Sequence, residues 1–233
     1  MSEVNDPMKN GSGLAPRIQV RPFQERDSAA VRALYLEAIL HSREIGNAME
    51  RGTELTYYDP CTRYAGLALL PVAPALLIVW RSKVWNGWYT YCQSAMLDDM
   101  ADIATYYGTH SNGYWVAETE IVSTGSSKTI VGCIGLVKDS TTSSEPGVAE
   151  LRRMAVDPAC QGKGIGSMLL RTLVEHAMEE GLKEIFLDTS SYHWAARKLY
   201  EKHGFKEVRR EPISDELWFI VARAYLHYYV LKL

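Results

Sequence analysis

Residues 151–167 read LRRMAVDPACQGKGIGS. The stretch starts as a strand, breaks at Asp157-Pro158 and passes through a glycine loop into a helix. Residues 148–156 have the apolar and β-branched content of a strand. Downstream, Ile165, Met168, Leu169, Thr172, Leu173, His176 and Ala177 share one helical face, and Gly181 stops the helix. Gln161, Gly162, Lys163, Gly164, Ile165, Gly166 and Ser167 thus occupy a helix start. Backbone N–H groups point outward together there, backed by the positive end of the helix dipole. Glycine lets that backbone approach an anion closely, so the loop suits a pyrophosphate.

Three phosphate loops compete for this spacing. A Walker A loop needs GxxxxGK[ST], and Lys163 precedes no Ser or Thr. A dinucleotide loop needs GxGxxG with an acidic ribose partner about 20 residues on. Gly162, Gly164 and Gly166 give GxGxG instead, although Asp188 falls near that distance. The third pattern, Q/R-x-x-G-x-G/A, is filled at every position from Gln161 to Gly166.

That loop resembles the coenzyme A pyrophosphate loop of the GNAT superfamily of N-acetyltransferases. Downstream, Ala196, Leu199, Tyr200, Gly204 and Phe205 resemble the same superfamily's A-x-x-L-Y-x-x-x-G-F segment. The resemblance runs over residues 150–205. It implies an α/β (α+β) fold with a mixed central sheet, splayed strands and flanking helices, acetyl-CoA as co-substrate, and acetyl transfer to a primary amine. It also implies that Met154, Ala155 and Val156 bond the pantetheine arm through their backbone, as an added strand would. His193 stands where relatives often carry an asparagine that bonds the cofactor. Residues 85–118, with MADIATYY and YWVAE, look like the camello-type membrane N-acetyltransferases, which act on cysteine S-conjugates, protein lysines or aspartate.

The bulk numbers fit one domain. The chain has 233 residues, is 47% hydrophobic and carries a net charge of −3, which offers no track for nucleic acid. Four widely spaced cysteines, with no CxxC pair, suggest neither zinc nor a disulfide framework. Residues 1–16 read as a disordered polar tail and 17–233 as one domain with an apolar insertion near 64–92.

Within that insertion, residues 64–80 (YAGLALLPVAPALLIVW) hold 17 positions without a charge, flanked by Arg63 and Arg81. A spanning helix needs about 20 apolar residues, with about 17 as the lower limit. Trp80, Trp85, Trp88, Tyr89 and Tyr91 follow like an interfacial belt. Pro71 and Pro74 would interrupt a helix here. Membrane association with a cytosol-facing domain and a proline-broken buried segment of a cytoplasmic protein both fit.

Elsewhere the pattern gives a strand over 18–22, a helix capped by Asp27 or Ser28 and a helix over 96–107. Strands follow over 114–119 and 129–137, joined by a turn at 123–127. Beyond the central helix come a strand over 184–189, a helix over 192–203, a strand over 205–209 and a closing strand in the tail.

In the implied reaction a neutral amine attacks the thioester. For an amine of pKa about 10.4, deprotonation at pH 7 costs about 4–5 kcal/mol, so a base must take the proton. Glu150, at the start of the strand into the loop, is the candidate base. An ion-paired glutamate beside Arg152 and Arg153 is the alternative, and Glu118 and Glu120 are rivals. The resemblance places Tyr200 near the thioester sulfur, as the acid for the departing thiolate. A non-catalytic acyl-CoA-binding protein and a membrane-anchored interaction protein would use the same fold. The acceptor's identity and the oligomeric state are not written in these residues.

Overall fold

A computed structural model describes residues 18–40, 72–108, 112–121, 127–138, 145–216, 219–220 and 223–233. The tail, residues 49–62, the first eight residues of the 64–80 segment and all of the turn expected at 123–127 except Ser127 lie outside them. The elements are β1 (Ile18–Pro22), α1 (Ser28–Leu40), α2 (Val72–Leu97), α3 (Ile103–Tyr107), β2 (Gly113–Ile121), β3 (Ser127–Lys138) and β4 (Val148–Val156). After them come α4 (Ile165–Glu179), β5 (Glu184–Ser190), α5 (Trp194–Lys202), β6 (Lys206–Pro212) and β7 (Tyr225–Lys232).

Seven strands form one sheet in the order β1-β2-β3-β4-β5-β7-β6. Every pairing is antiparallel except that of β4 with β5. The tail strand β7 does not close the sheet: it slots between β5 and β6.

Apolar layers cover both faces. On one, Ile165, Leu169, Leu170, Leu173 and Ala177 of α4 pack on Ile134, Leu136, Leu151, Ile185 and Leu187. Each fully buried leucine or isoleucine contributes about 1.5–3 kcal/mol. On the other face, Val31, Leu34 and Tyr35 of α1 meet Met100, Ile103, Tyr107, Tyr114, Val116 and Cys133.

The parallel pair positions the site. Its ladder holds only Val148↔Glu184, Ala149↔Ile185 and Glu150↔Phe186. Beyond that point β4 stays paired with β3 as far as Val156, and β5 with β7 as far as Ser190. The strands part at Glu150, and the wedge between them opens toward the glycine loop.

A bulge lies along the wedge. Cys133 pairs with Ala155 and Gly135 with Arg152, so Arg153 and Met154 together oppose Ile134. Arg153 takes a left-handed backbone, φ 51°. The extra residue inverts the strand's alternation. Ala149 and Leu151 face the α4 layer, then Met154 and Val156 do, while Ala155 faces the α1 layer.

Two expectations are corrected. The helix expected over 96–107 is interrupted: α2 ends at Leu97 and α3 starts at Ile103, with the Asp102 carboxylate accepting the Thr105 N–H at 3.0 Å. A side-chain cap at Asp102 competes with helix continuation. Met100, Ile103 and Tyr107 are nonetheless buried together. Pro74 does not break α2. It sits in the first turn, where its missing N–H forfeits no intrahelical bond.

Among the described residues no helix is long and apolar enough to cross a membrane. Trp80, Val84 and Trp88, spaced four apart on α2, are buried against Tyr192 and Ala224. The rest of the helix surface exposes Ile78, Val79, Trp85 and Tyr89, and Leu76 is exposed one turn before Trp80.

Candidate active site

The glycine loop is built as a receiver. Asp157 accepts the Ala159 N–H at 2.7 Å and turns the chain after β4. Gly162 and Gly164 take φ values of +76° and +80°, where a side chain is strained, and a Cβ on either would meet nothing within 4 Å. Gly164 caps α4 without a side chain. The first N–H groups of α4 therefore face open space at the mouth of the wedge. Gly166 has another role: its Cβ would lie 2.9 Å from Leu199 Cδ2 and 3.2 Å from Met154 Cε. It lets α4, α5 and β4 meet closely.

The loop's polar side chains bond to their own neighbourhood. Lys163 Nζ donates to the Ala159 carbonyl at 3.2 Å, and Gln161 Nε2 to the Val156 carbonyl at 3.4 Å. Ser167 Oγ lies 3.1 Å from His203 Nε2. Ile165 is a core residue.

Along the wedge, β4 keeps ladder partners only on its β3 side from Leu151 onward. Backbone groups of Met154, Ala155 and Val156 lie in this stretch. Tyr200, brought over the wedge by α5, donates its hydroxyl to Met154 Sδ at 3.5 Å. Burial raises its pKa, helped by the charge of Asp188. The phenol stays protonated at neutral pH and is available as a donor.

Glu150 lies at the apex, 5% exposed, with Oε1 2.8 Å from Arg152 Nε. Its other oxygen is buried without a partner among the described residues. Glu150 is thus ion-paired to Arg152 at the point where β4 and β5 part. Glu118 is not at that point. It sits on β2, two strands away, held by Arg21 at 2.7 Å and Lys128 at 2.6 Å. The Glu120 side chain lies outside the described residues.

His193 caps α5 and places Nδ1 3.2 Å from Ser190 Oγ, while Nε2 is buried without a partner among the described residues. Burial lowers its pKa to about 4, so the imidazole is neutral at pH 7. Trp88 stands edge-on to it, ring centroids 5.9 Å apart.

Sequence reasoning missed two groups. Arg153, turned by the bulge toward the α1 face, donates to Asp99 from Nε and Nη2 at 2.6–3.0 Å and to the Tyr35 hydroxyl at 3.3 Å. Tyr107 also donates to Asp99. The second is Asp188. Partial desolvation by the wedge walls and the charge of Glu150 raise its pKa against the opposing pull of Arg152 and Arg153, although its side chain is exposed.

Over residues 78–205 the chain matches the Acetyltransferase (GNAT) family. The chain belongs to this family. Human N-acetyltransferase 8B is 34% identical over 123 residues, covering 52% of this chain and 51% of that protein. The chain thus spans about half the length of that relative. N-acetylaspartate synthetase of Xenopus tropicalis is 31% identical over 207 residues, 82% of this chain and 70% of that protein. These relatives fit the camello-type resemblance. Among solved structures, a GNAT acetyltransferase of Staphylococcus aureus aligns with a TM-score of 0.55 at 16% identity, over 93% of this chain and 99% of that one. An acetyltransferase from Salmonella typhimurium, solved with acetyl-CoA, aligns at 0.53 and 18%, over 92% and 93%. The splayed β4–β5 pair belongs to a GNAT fold.

Proposed function

We propose that residues 17–233 form one acetyltransferase domain that moves the acetyl group of acetyl-CoA to a primary amine by direct attack on the thioester. The observation that carries this reading is the unpaired wedge between β4 and β5, with the open N–H groups of Gly162–Gly166 at its mouth and the Tyr200 hydroxyl within it. The pyrophosphate fits the loop, where nothing fills the space beside Gly162 and Gly164. Gln161, Lys163, Ile165 and Ser167 contribute backbone to the cradle. Met154, Ala155 and Val156 offer the free edge of β4 to the pantetheine arm, and His193 Nε2 is a free nitrogen beside it. Tyr200 donates to the departing sulfur. Glu150 supplies negative charge on the acceptor side.

Catalysis here rests mainly on positioning, because a thiol of pKa about 8.5 leaves readily. The test is calorimetric binding of acetyl-CoA, together with CoA release on a panel of L-aspartate, L-lysine, S-benzyl-L-cysteine and phenethylamine. Binding without CoA release from any amine would favour a non-catalytic acyl-CoA carrier.

A surface seat on a membrane is part of this proposal. The exposed Leu76, Ile78, Val79, Trp85 and Tyr89 of α2 support it, with Arg81 and Lys83 among them. Fractionation of the expressed protein, with and without Leu76→Ser and Ile78→Ser, tests it.

A further inference from the structure

Granting the acetyl-transfer reading above, we infer that Asp188 takes the proton of the acceptor's ammonium, while Glu150 is the ion-paired charge beside it.

Placement comes first. Ile185 and Leu187 of β5 enter the core under α4, so Phe186, Asp188 and Ser190 face the α1 side. Glu150 and Arg152 face that side too: Arg152 reaches the Tyr106 hydroxyl there, at 3.4 Å. Asp188 lies two residues past Phe186, where the β4–β5 ladder ends. It is therefore on the wall of the wedge opposite Arg152 and Arg153.

Access separates the two carboxylates. Glu150 is buried, and one of its oxygens is occupied by Arg152. A proton delivered to it has no direct exit to water. Asp188 is exposed, and among the described residues no side chain holds its carboxylate. It can take a proton from a bound ammonium and pass it to solvent.

Electrostatics separates them again. The groups that face Asp188 are Glu150, Arg152 and Arg153 from β4, Tyr91 from α2 and Tyr200 from α5. On β7 its register partner is Tyr228, whose ring carries Arg209 of β6 at 4.1 Å. The wedge walls strip part of its water and Glu150 adds like charge, so Asp188 is more basic than an ordinary aspartate while its side chain still reaches solvent. A carboxylate raised above its ordinary pKa suits a proton acceptor near neutral pH, and Glu150 is left as the charge that raises it.

The steps balance. The ammonium gives one proton to Asp188, and the freed nitrogen pair attacks the thioester carbonyl carbon. A C–N bond forms, the C–S bond breaks, and the thiolate takes the Tyr200 proton. The second nitrogen proton returns to Tyr200, and Asp188 releases its proton to water.

The experiment compares wild type, Asp188→Asn, Asp188→Glu and Glu150→Gln, using whichever of the four amines above turns over fastest. With an ammonium-accepting base, log(kcat/KM) is flat through neutral pH. Asp188→Asn should lower kcat/KM about 100-fold at pH 7. Its profile should then rise about tenfold per pH unit, because only free amine reacts. Asp188→Glu should restore part of the plateau, and acetyl-CoA affinity should stay unchanged in calorimetry. A retained plateau in Asp188→Asn, or its loss in Glu150→Gln alone, would overturn the assignment. If wild type binds no acetyl-CoA or releases no CoA, the acetyl-transfer reading itself falls and takes this inference with it. That result is distinct from a retained plateau.

Discussion

Arg153 forks onto Asp99, donating from Nε and Nη2 at 2.6–3.0 Å, and so ties the bulge of β4 to the turn after α2. Asp99 is fully buried and the Arg153 side chain is 11% exposed. The pair joins the wall of the wedge to the helical layer behind it.

Removing one charge strands the other. Asp99→Asn should cost about 3–5 kcal/mol of stability, the usual effect of breaking a buried pair. Chemical denaturation measures it. A loss below about 1 kcal/mol would mean that Tyr35 and solvent already satisfy Arg153.

Gly164→Asp places a side chain where φ is +80° and a negative charge where an anion is to bind. Acetyl-CoA affinity should fall at least about 100-fold, from lost N–H contacts and added repulsion. Calorimetry with acetyl-CoA gives the answer, and unaltered binding would remove the loop from the cofactor site.

Tyr200→Phe deletes the hydroxyl and keeps the ring packed on Phe205 and Tyr229. Turnover should fall about 10–100-fold with acetyl-CoA binding unchanged. Equal loss of binding and turnover would point to packing.

His193 supplies a pH signature. Its pKa is about 6.5 unfolded and about 4 folded, so the unfolded chain binds the proton first. Stability should therefore fall as pH drops from about 6.5 to about 4, by up to about 3 kcal/mol from this group. His193→Asn should shrink the difference between denaturation at pH 7.5 and pH 4.5. An unchanged difference would show that the imidazole is hydrated in the folded state.

What sequence could reach was local. Strand β4, helix α4 and the loop between them follow from alternation, helical spacing and glycine positions. The motif residues Gln161–Gly166 and Tyr200 do gather around one wedge. The break between α2 and α3 had a readable signal, since Asp102 precedes Thr105 at cap spacing. Apolar periodicity through Met96, Met100, Ile103 and Tyr107 hid it, because one buried face can be shared by two helices. The Asp99–Arg153 pair spans 54 residues and needs a bulge without a composition signal. Asp188 stands out in the sequence only by its distance from the glycine loop, because its surroundings exist only once β4 and β5 part. The insertion of β7 between β5 and β6 is a matter of topology that no local pattern records.

The bulge at Arg153 acts as a phase shifter. Before it, odd-numbered positions of β4 face the α4 layer and even-numbered ones the α1 layer; after it, the parity is exchanged. Deleting Arg153 would restore plain alternation and pairing, leaving Met154 to Val156 on their present faces and removing only the arginine that ties β4 to Asp99. The sheet itself therefore tolerates a strand one residue shorter at this place, and the extra residue is held there by its buried carboxylate partner.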